Sequence, residues 1–117
     1  MCFLIYFRYK EAIVATKDIR CWKKTYKSHL FNNGFTSEFR GFSYKFGETY
    51  KTTIQKVLST IDKGFHSYTY KPYSYYDECV IYCKIPKGSV YYYNPHLGEY
   101  VSNQIIPLKV VKNKHYE

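Results

Sequence analysis

The sequence has no long hydrophobic run. Its longest apolar opening, Cys2-Phe3-Leu4-Ile5-Tyr6-Phe7, falls far short of the ~20 apolar residues that span a bilayer. It is also too short for a signal-peptide core followed by a small-residue cleavage site. The expected setting is therefore the reducing cytoplasm, with no membrane partner. Paired metal-binding cysteines are missing as well. The four cysteines are Cys2, Cys21, Cys79 and Cys83, with no Cys-x-x-Cys pair, and the four histidines are scattered. On a strand, Cys79 and Cys83 would stand roughly 13 Å apart, too far to share one zinc. The thiols are expected to be reduced and buried, and no metal or other cofactor is expected. Acid is scarce: of nine Asp+Glu only Asp77-Glu78 are adjacent, so no glycosidase-type carboxylate pair can be inferred. No Gly-x-Gly-x-x-Gly, phosphate-loop lysine motif or Gly-x-Ser-x-Gly elbow occurs, which removes the common nucleotide-hydrolase and serine-hydrolase readings. Cys2 could become an N-terminal nucleophile if Met1 were removed. The amidohydrolases that work this way are much larger, so Cys2 is read as packing with Phe3 and Ile5.

What is abundant is positive charge and tyrosine. Eighteen Lys+Arg against nine Asp+Glu give a net charge of +9, a surface that attracts polyanions. The cations are spread over Lys23-Lys24, Lys27, Arg40, Lys45, Lys51, Lys56, Lys84, Lys87, Lys109, Lys112 and Lys114. That spread describes a folded basic surface and not a disordered arm. Sixteen Tyr, eight Phe and one Trp suit half-buried strands and also base stacking beside phosphate contacts. An AT-rich genome writes the same Tyr/Lys/Ile/Asn bias, so strand building accounts for much of it. A chain of 117 residues has room for a single domain, residues 1–117, that folds without staples.

Periodicity places the elements. Ile19-Arg20-Cys21-Trp22-Lys23 and Phe39 to Gly47 alternate as half-buried strands do. Cys79 to Ile85 is the best strand, with Cys79, Ile81, Cys83 and Ile85 on one face. Ser89 to Tyr93 and Gln104 to Val111 are further strands, the last with Pro107 near an edge. Asn32-Asn33-Gly34 and Asn94-Pro95-His96 read as turns. Thr52 to Lys63 is predicted to be the main helix. Thr52 and Gln55 have capping-box spacing, Ile54, Val57, Leu58 and Ile61 form one stripe, and Gly64 would end it. The expected fold is α+β, with about six short, mostly antiparallel strands and this one helix (about 52–63).

Two polar segments stand out. In Gly64-Phe65-His66-Ser67-Tyr68, a His and a Tyr two apart share a strand face. In Pro86-Lys87-Gly88-Ser89, a turn could cradle a phosphate through its N–H groups and the ammonium. Together with Glu99-Tyr100-Val101-Ser102 and Gly41-Phe42-Ser43-Tyr44…Gly47-Glu48-Thr49-Tyr50, these recur in an order that resembles an uncharacterised family of small phage and gut-bacterial proteins. The resemblance covers roughly residues 12 to 111 and implies a phage-type accessory protein without assigned chemistry. A weaker resemblance is to ADP-ribosyltransferase-like domains, with Arg20, His66 and Glu99 in the catalytic places and NAD as cofactor. The Ser-Thr-Ser and Glu-x-Glu patterns of such enzymes are missing.

The resulting expectation is a non-enzymatic binder of a phosphate-bearing partner: a nucleotide signal, nucleic acid, or a host defence protein that uses one. Arg20, Lys23, Arg40, His66, Tyr68, Lys87 and Ser89 are the expected ligand contacts. An NAD-using transferase and a virion or interaction component, the latter a homo-oligomer, are the alternatives.

Overall fold

A computed structural model describes residues 3–4, 12–37, 42–57 and 60–111 of the chain. The strands are β1 (Phe3–Leu4), β2 (Ile13–Val14), β3 (Ile19–Tyr26), β4 (Leu30–Phe31), β5 (Gly34–Thr36), β6 (Ser43–Lys45), β7 (Tyr50–Lys51), β8 (Gln55–Val57), β9 (Thr60–Lys63), β10 (Phe65–Tyr68), β11 (Glu78–Ile85), β12 (Val90–Asn94), β13 (Glu99–Ser102) and β14 (Gln104–Val111). The only helical turn among the described residues is a 3-10 turn at Lys27–His29. None of the described helices is long and apolar enough to cross a membrane.

Eight strands form one antiparallel sheet in the order β2-β12-β13-β10-β3-β11-β14-β7. Its centre is the β3–β11 ladder, paired from Glu78↔Tyr26 to Ile85↔Ile19. Alternation along this ladder sends Cys21 from β3, and Cys79, Ile81, Cys83 and Ile85 from β11, to one face, here called inner. There they meet Phe35 of β5, Tyr44 of β6, Phe65 and Ile105. The small sheet β4-β5-β6 therefore closes the inner face. Ile81 and Ile85 are fully buried, and burying each such side chain contributes about 1.5–3 kcal/mol. Phe35 stacks on Tyr44 at 4.8 Å, and Tyr44 meets Tyr50 and Phe65 edge-on. Part of the aromatic excess, Phe35, Tyr44 and Phe65, is thus core.

A second small sheet, β1-β9-β8, lies on the other side. Its fully buried Ile61 packs on Val101 of β13, joined by Ile54 and Tyr92. Val101 alternates with the inward Tyr100, so this second cluster lies on the opposite, outer face. At Gly64, between β9 and β10, φ is +153° and a Cβ would stand 2.4 Å from Val101 Cγ1. Only glycine lets the chain pass this close.

The expected helix over 52–63 is not there, and the fold is not α+β. Residues Gln55–Val57 and Thr60–Lys63 form an antiparallel hairpin, with Lys56↔Ile61 and Val57↔Thr60 paired. The backbone N–H of Thr52, the supposed cap, donates to the Asn103 carbonyl at 2.9 Å. The physical reason lies in the residues themselves. Thr52, Thr53, Ile54, Val57, Thr60 and Ile61 are all β-branched, stiff at χ1 and suited to a pleated surface. A twelve-residue helix is too short to hold itself without packing. The apolar stripe was real, because Ile54 and Ile61 do share a buried cluster, but a hairpin brings them together as well as a helix would. The strands expected around Cys21, over Cys79–Ile85 and over Gln104–Val111 are present. Pro107 stands beside a register shift at Tyr82/Cys83, where the missing N–H costs the ladder nothing.

Candidate functional site

Antiparallel register aligns one line of side chains across six strands of the outer face. Lys109 (β14) opposes Tyr82 (β11), which opposes Trp22 (β3). Trp22 opposes Tyr68 (β10), Tyr68 opposes Glu99 (β13), and Glu99 opposes Asn94 (β12). Five inter-strand steps make this line about 24 Å long. The Trp22 and Tyr82 rings lie 5.8 Å apart, within the range of a favourable aromatic pair. Alternation puts Arg20, Lys24 and Lys84 on the same face, beside the line. Lys24 pairs with Glu78 at 3.6 Å and Lys84 with Asp18 at 3.3 Å. Arg20 and Lys109 are exposed and have no ion-pair partner among the described residues.

The segment from 69 to 77 leaves β10 on one side of β3 and enters β11 on the other, so it must cross β3. The Tyr75 N–H donates to Glu78 Oε1 at 2.9 Å. Glu78 alternates with inward Cys79, so the crossover runs over the outer face. Ser74 within it and Val80 of the outer face are both fully buried. Its tyrosines turn the other way. Tyr70, Tyr73, Tyr75 and Tyr76 are 51, 67, 64 and 81% exposed. Tyr73 and Tyr75 touch edge to face at 5.3 Å, and Tyr70 lies 5.6 Å from Tyr68.

One end of the line carries unusual protonation. Burial pushes the Glu99 carboxyl up to about 7, against a smaller pull from the Lys23 ammonium. Burial likewise lowers the Lys23 ammonium. Lys23 alternates with Trp22 and so points to the inner face, where it lies 5.9 Å from the Tyr44 ring centroid. Its Nζ donates to the His66 carbonyl at 2.6 Å. β10 pairs with β3 only at Tyr68↔Trp22, and Lys23 ties the two strands next to that single pair.

No family model, curated protein or solved structure matches this chain.

The structure brings some of the expected contacts together and separates others. His66, Tyr68 and Glu99 share the outer face, with Tyr68 directly opposite Glu99 and His66 one diagonal step away, about 7–8 Å. Arg20 is on that face too, but two strands and two residues from Glu99, about 12 Å. Lys23 serves the fold from the inner side. Arg40 lies outside the described residues. The turn carrying Lys87 and Ser89 precedes β12, two strands from β10, which puts Ser89 about 14 Å from His66 by strand counting. Its N–H groups are spent internally: Lys87 donates to Asp18 Oδ1 at 2.8 Å, Gly88 to the Ala15 carbonyl at 2.8 Å and Ser89 to the Pro86 carbonyl at 3.1 Å. Ser89 is fully buried, and its hydroxyl donates to the same Pro86 carbonyl. A phosphate would have to displace these bonds. The reading from sequence counted Lys24, Lys84 and Lys109 only within a general basic surface and missed Trp22 and Tyr82; that these five come together depends on strand register. Among the described residues no three His, Cys, Asp or Glu side chains gather to hold a metal.

Proposed function

We propose that the protein is a non-enzymatic binder that takes a phosphate-bearing partner on the outer face of its large sheet, in the host cytoplasm and as a phage-type accessory protein. The observation that carries this is the crossover, which holds four tyrosines in solvent on the face from which Arg20, Lys24, Lys84 and Lys109 project. Rigid, exposed rings beside cations suit recognition. The whole-chain charge of +9 adds long-range attraction for a polyanion. Three buried free thiols, Cys21, Cys79 and Cys83, fit a reducing compartment.

The test is retention on immobilised heparin at several salt concentrations, with Arg20→Glu/Lys109→Glu as the perturbed form. Phosphate-type binding weakens with salt, and the double charge reversal shortens retention. Retention indifferent to salt would sink the reading. The transferase alternative draws on Glu99 and His66 sharing a face. A carboxyl that burial pushes up to about 7 is a weaker anionic stabiliser than an ordinary carboxylate, and unchanged NAD turnover in Glu99→Gln would dispose of that role.

A further inference from the structure

We infer that the phosphate-bearing partner is a single-stranded nucleic acid whose bases stack on the tyrosines of the 69–77 crossover while its backbone follows Arg20 and Lys109. This rests on the binding reading above and narrows it. Three observations favour a single strand. First, every exposed apolar group of the crossover is an aromatic ring: the segment reads Thr-Tyr-Lys-Pro-Tyr-Ser-Tyr-Tyr-Asp, and its one aliphatic ring, Pro72, is buried. Rings accept the π-face of any unpaired base, while the bases of a duplex are already stacked on each other. Second, the cations are of the kind that meets phosphate. Fifteen of the eighteen are lysine, with arginine only at Arg8, Arg20 and Arg40. Lysine is depleted at protein–protein interfaces and is a good point charge for phosphate. Third, the length is right. The accessible part of the line, from Lys109 through Tyr82 and Trp22 to Tyr68, takes three inter-strand steps, about 14 Å, the length of roughly four nucleotides at duplex spacing, at the lower end of the ~4–16 nucleotides that one sheet-based single-strand module covers.

The two parts of the contact are separable, which makes the inference testable. Tyr73 and Tyr75 are about two-thirds exposed, so Tyr73→Ala/Tyr75→Ala leaves the core intact, and an unchanged circular-dichroism melt checks this. Fluorescence anisotropy at fixed low salt would compare a labelled 12-mer oligothymidylate, a 12-base-pair duplex, heparin and a polyglutamate peptide. Trp22, the single tryptophan, supplies an internal signal, because it opposes both Tyr68 and Tyr82. The expected result has four parts. The oligothymidylate binds more tightly than the duplex and quenches Trp22. The tyrosine variant weakens oligothymidylate by about tenfold per ring removed. Heparin binding is unchanged in that variant. Arg20→Glu/Lys109→Glu weakens all the polyanions. If the tyrosine variant binds oligothymidylate like the parent while charge reversal abolishes binding, the polyanion reading stands and the single-strand inference falls. If polyglutamate binds as tightly as oligothymidylate and depends on the same tyrosines, the surface is built for an acidic peptide and the inference is again overturned. If none of the four ligands binds, both readings fail.

Discussion

Replacing Glu99 by Gln should stabilise the protein at alkaline pH and leave it unchanged in acid. The carboxyl is half-buried, and its value is pushed from an ordinary 4.5 to about 7 by burial, with Lys23 opposing. A group whose folded value is raised contributes stability that is complete below its unfolded value and is lost as pH rises through the folded value. The loss is therefore confined to the window from about 4.5 to about 7 and complete above it. Taken at face value, the displacement is worth at most about 3 kcal/mol. Glu99 keeps contact with solvent, so screening reduces this to about 1 kcal/mol, which is roughly 4 °C in Tm for a domain of this size. Gln keeps the shape and the hydrogen-bonding capacity but has no charge to desolvate. The assay is a pair of thermal melts at pH 5, 6, 7 and 8, followed by Trp22 fluorescence, and the quantity of interest is the difference between the two proteins. That difference should be near zero at pH 5 and grow to about 4 °C in favour of Gln at pH 8. A difference that does not vary with pH would refute the reasoning. So would one of opposite sign, with the parent gaining on the variant as pH rises, because Glu99 would then be a carboxylate held by Lys23.

Three further outcomes follow from the same structure. Ile81→Ala, at a fully buried site in the central ladder, should cost about 2–5 kcal/mol, measured by urea unfolding; a loss under 1 kcal/mol would mean that the inner face is not the core. Gly64→Ala should cost about 2 kcal/mol or more, because a Cβ meets Val101 at 2.4 Å in a backbone region that side chains avoid. Gly47→Ala, with φ +87° and nothing within 4 Å, should cost only about 1 kcal/mol, and equal losses would remove the contact with Val101 as the cause. Burial pushes the Cys21 and Cys79 thiols up to about 11 and Cys83 up as well. Peptide mapping after iodoacetamide at pH 8 should therefore find these three unlabelled until urea is added, and rapid native labelling of any of them would contradict the packing.

Elements with period-two alternation and no competing pattern were legible from sequence. β11 showed itself because Cys79, Ile81, Cys83 and Ile85 are all buried on one face, while Glu78, Tyr82 and Lys84 on the other are half-buried and only Val80 there is fully buried. β3 was visible for the same reason, although its true length, Ile19–Tyr26, hides behind Lys23, an inward lysine that pattern reading assigns to solvent. The hairpin of β8 and β9 was illegible because Ile54, Val57, Leu58 and Ile61 satisfy a helical stripe. What decides against the helix is a tertiary partner, Val101, forty residues further on. Local spacing cannot contain that information, and only the β-branched content of the segment hinted at it.

The candidate site was legible in its ingredients and hidden in its arrangement. His66 and Tyr68 were placed on one face by counting, and the structure keeps them there, but Glu99 joins them only through the β10–β13 register. Trp22 stands between Tyr68 and Tyr82 only because β10 and β11 flank β3 on opposite sides. That order has a consequence for the tyrosine run. A chain that leaves β10 and must enter β11 has to cross β3, and the inner face is already filled by Phe35, Tyr44 and Phe65. The crossover is forced onto the outer face, where Tyr73, Tyr75 and Tyr76 stay largely exposed. Pro72, Ser74 and Asp77 mark this run as a loop, and sheet topology decides that the loop presents its tyrosines on the outer face. Substitutions there should change binding without changing the melt, and those in β3 or β11 should change both.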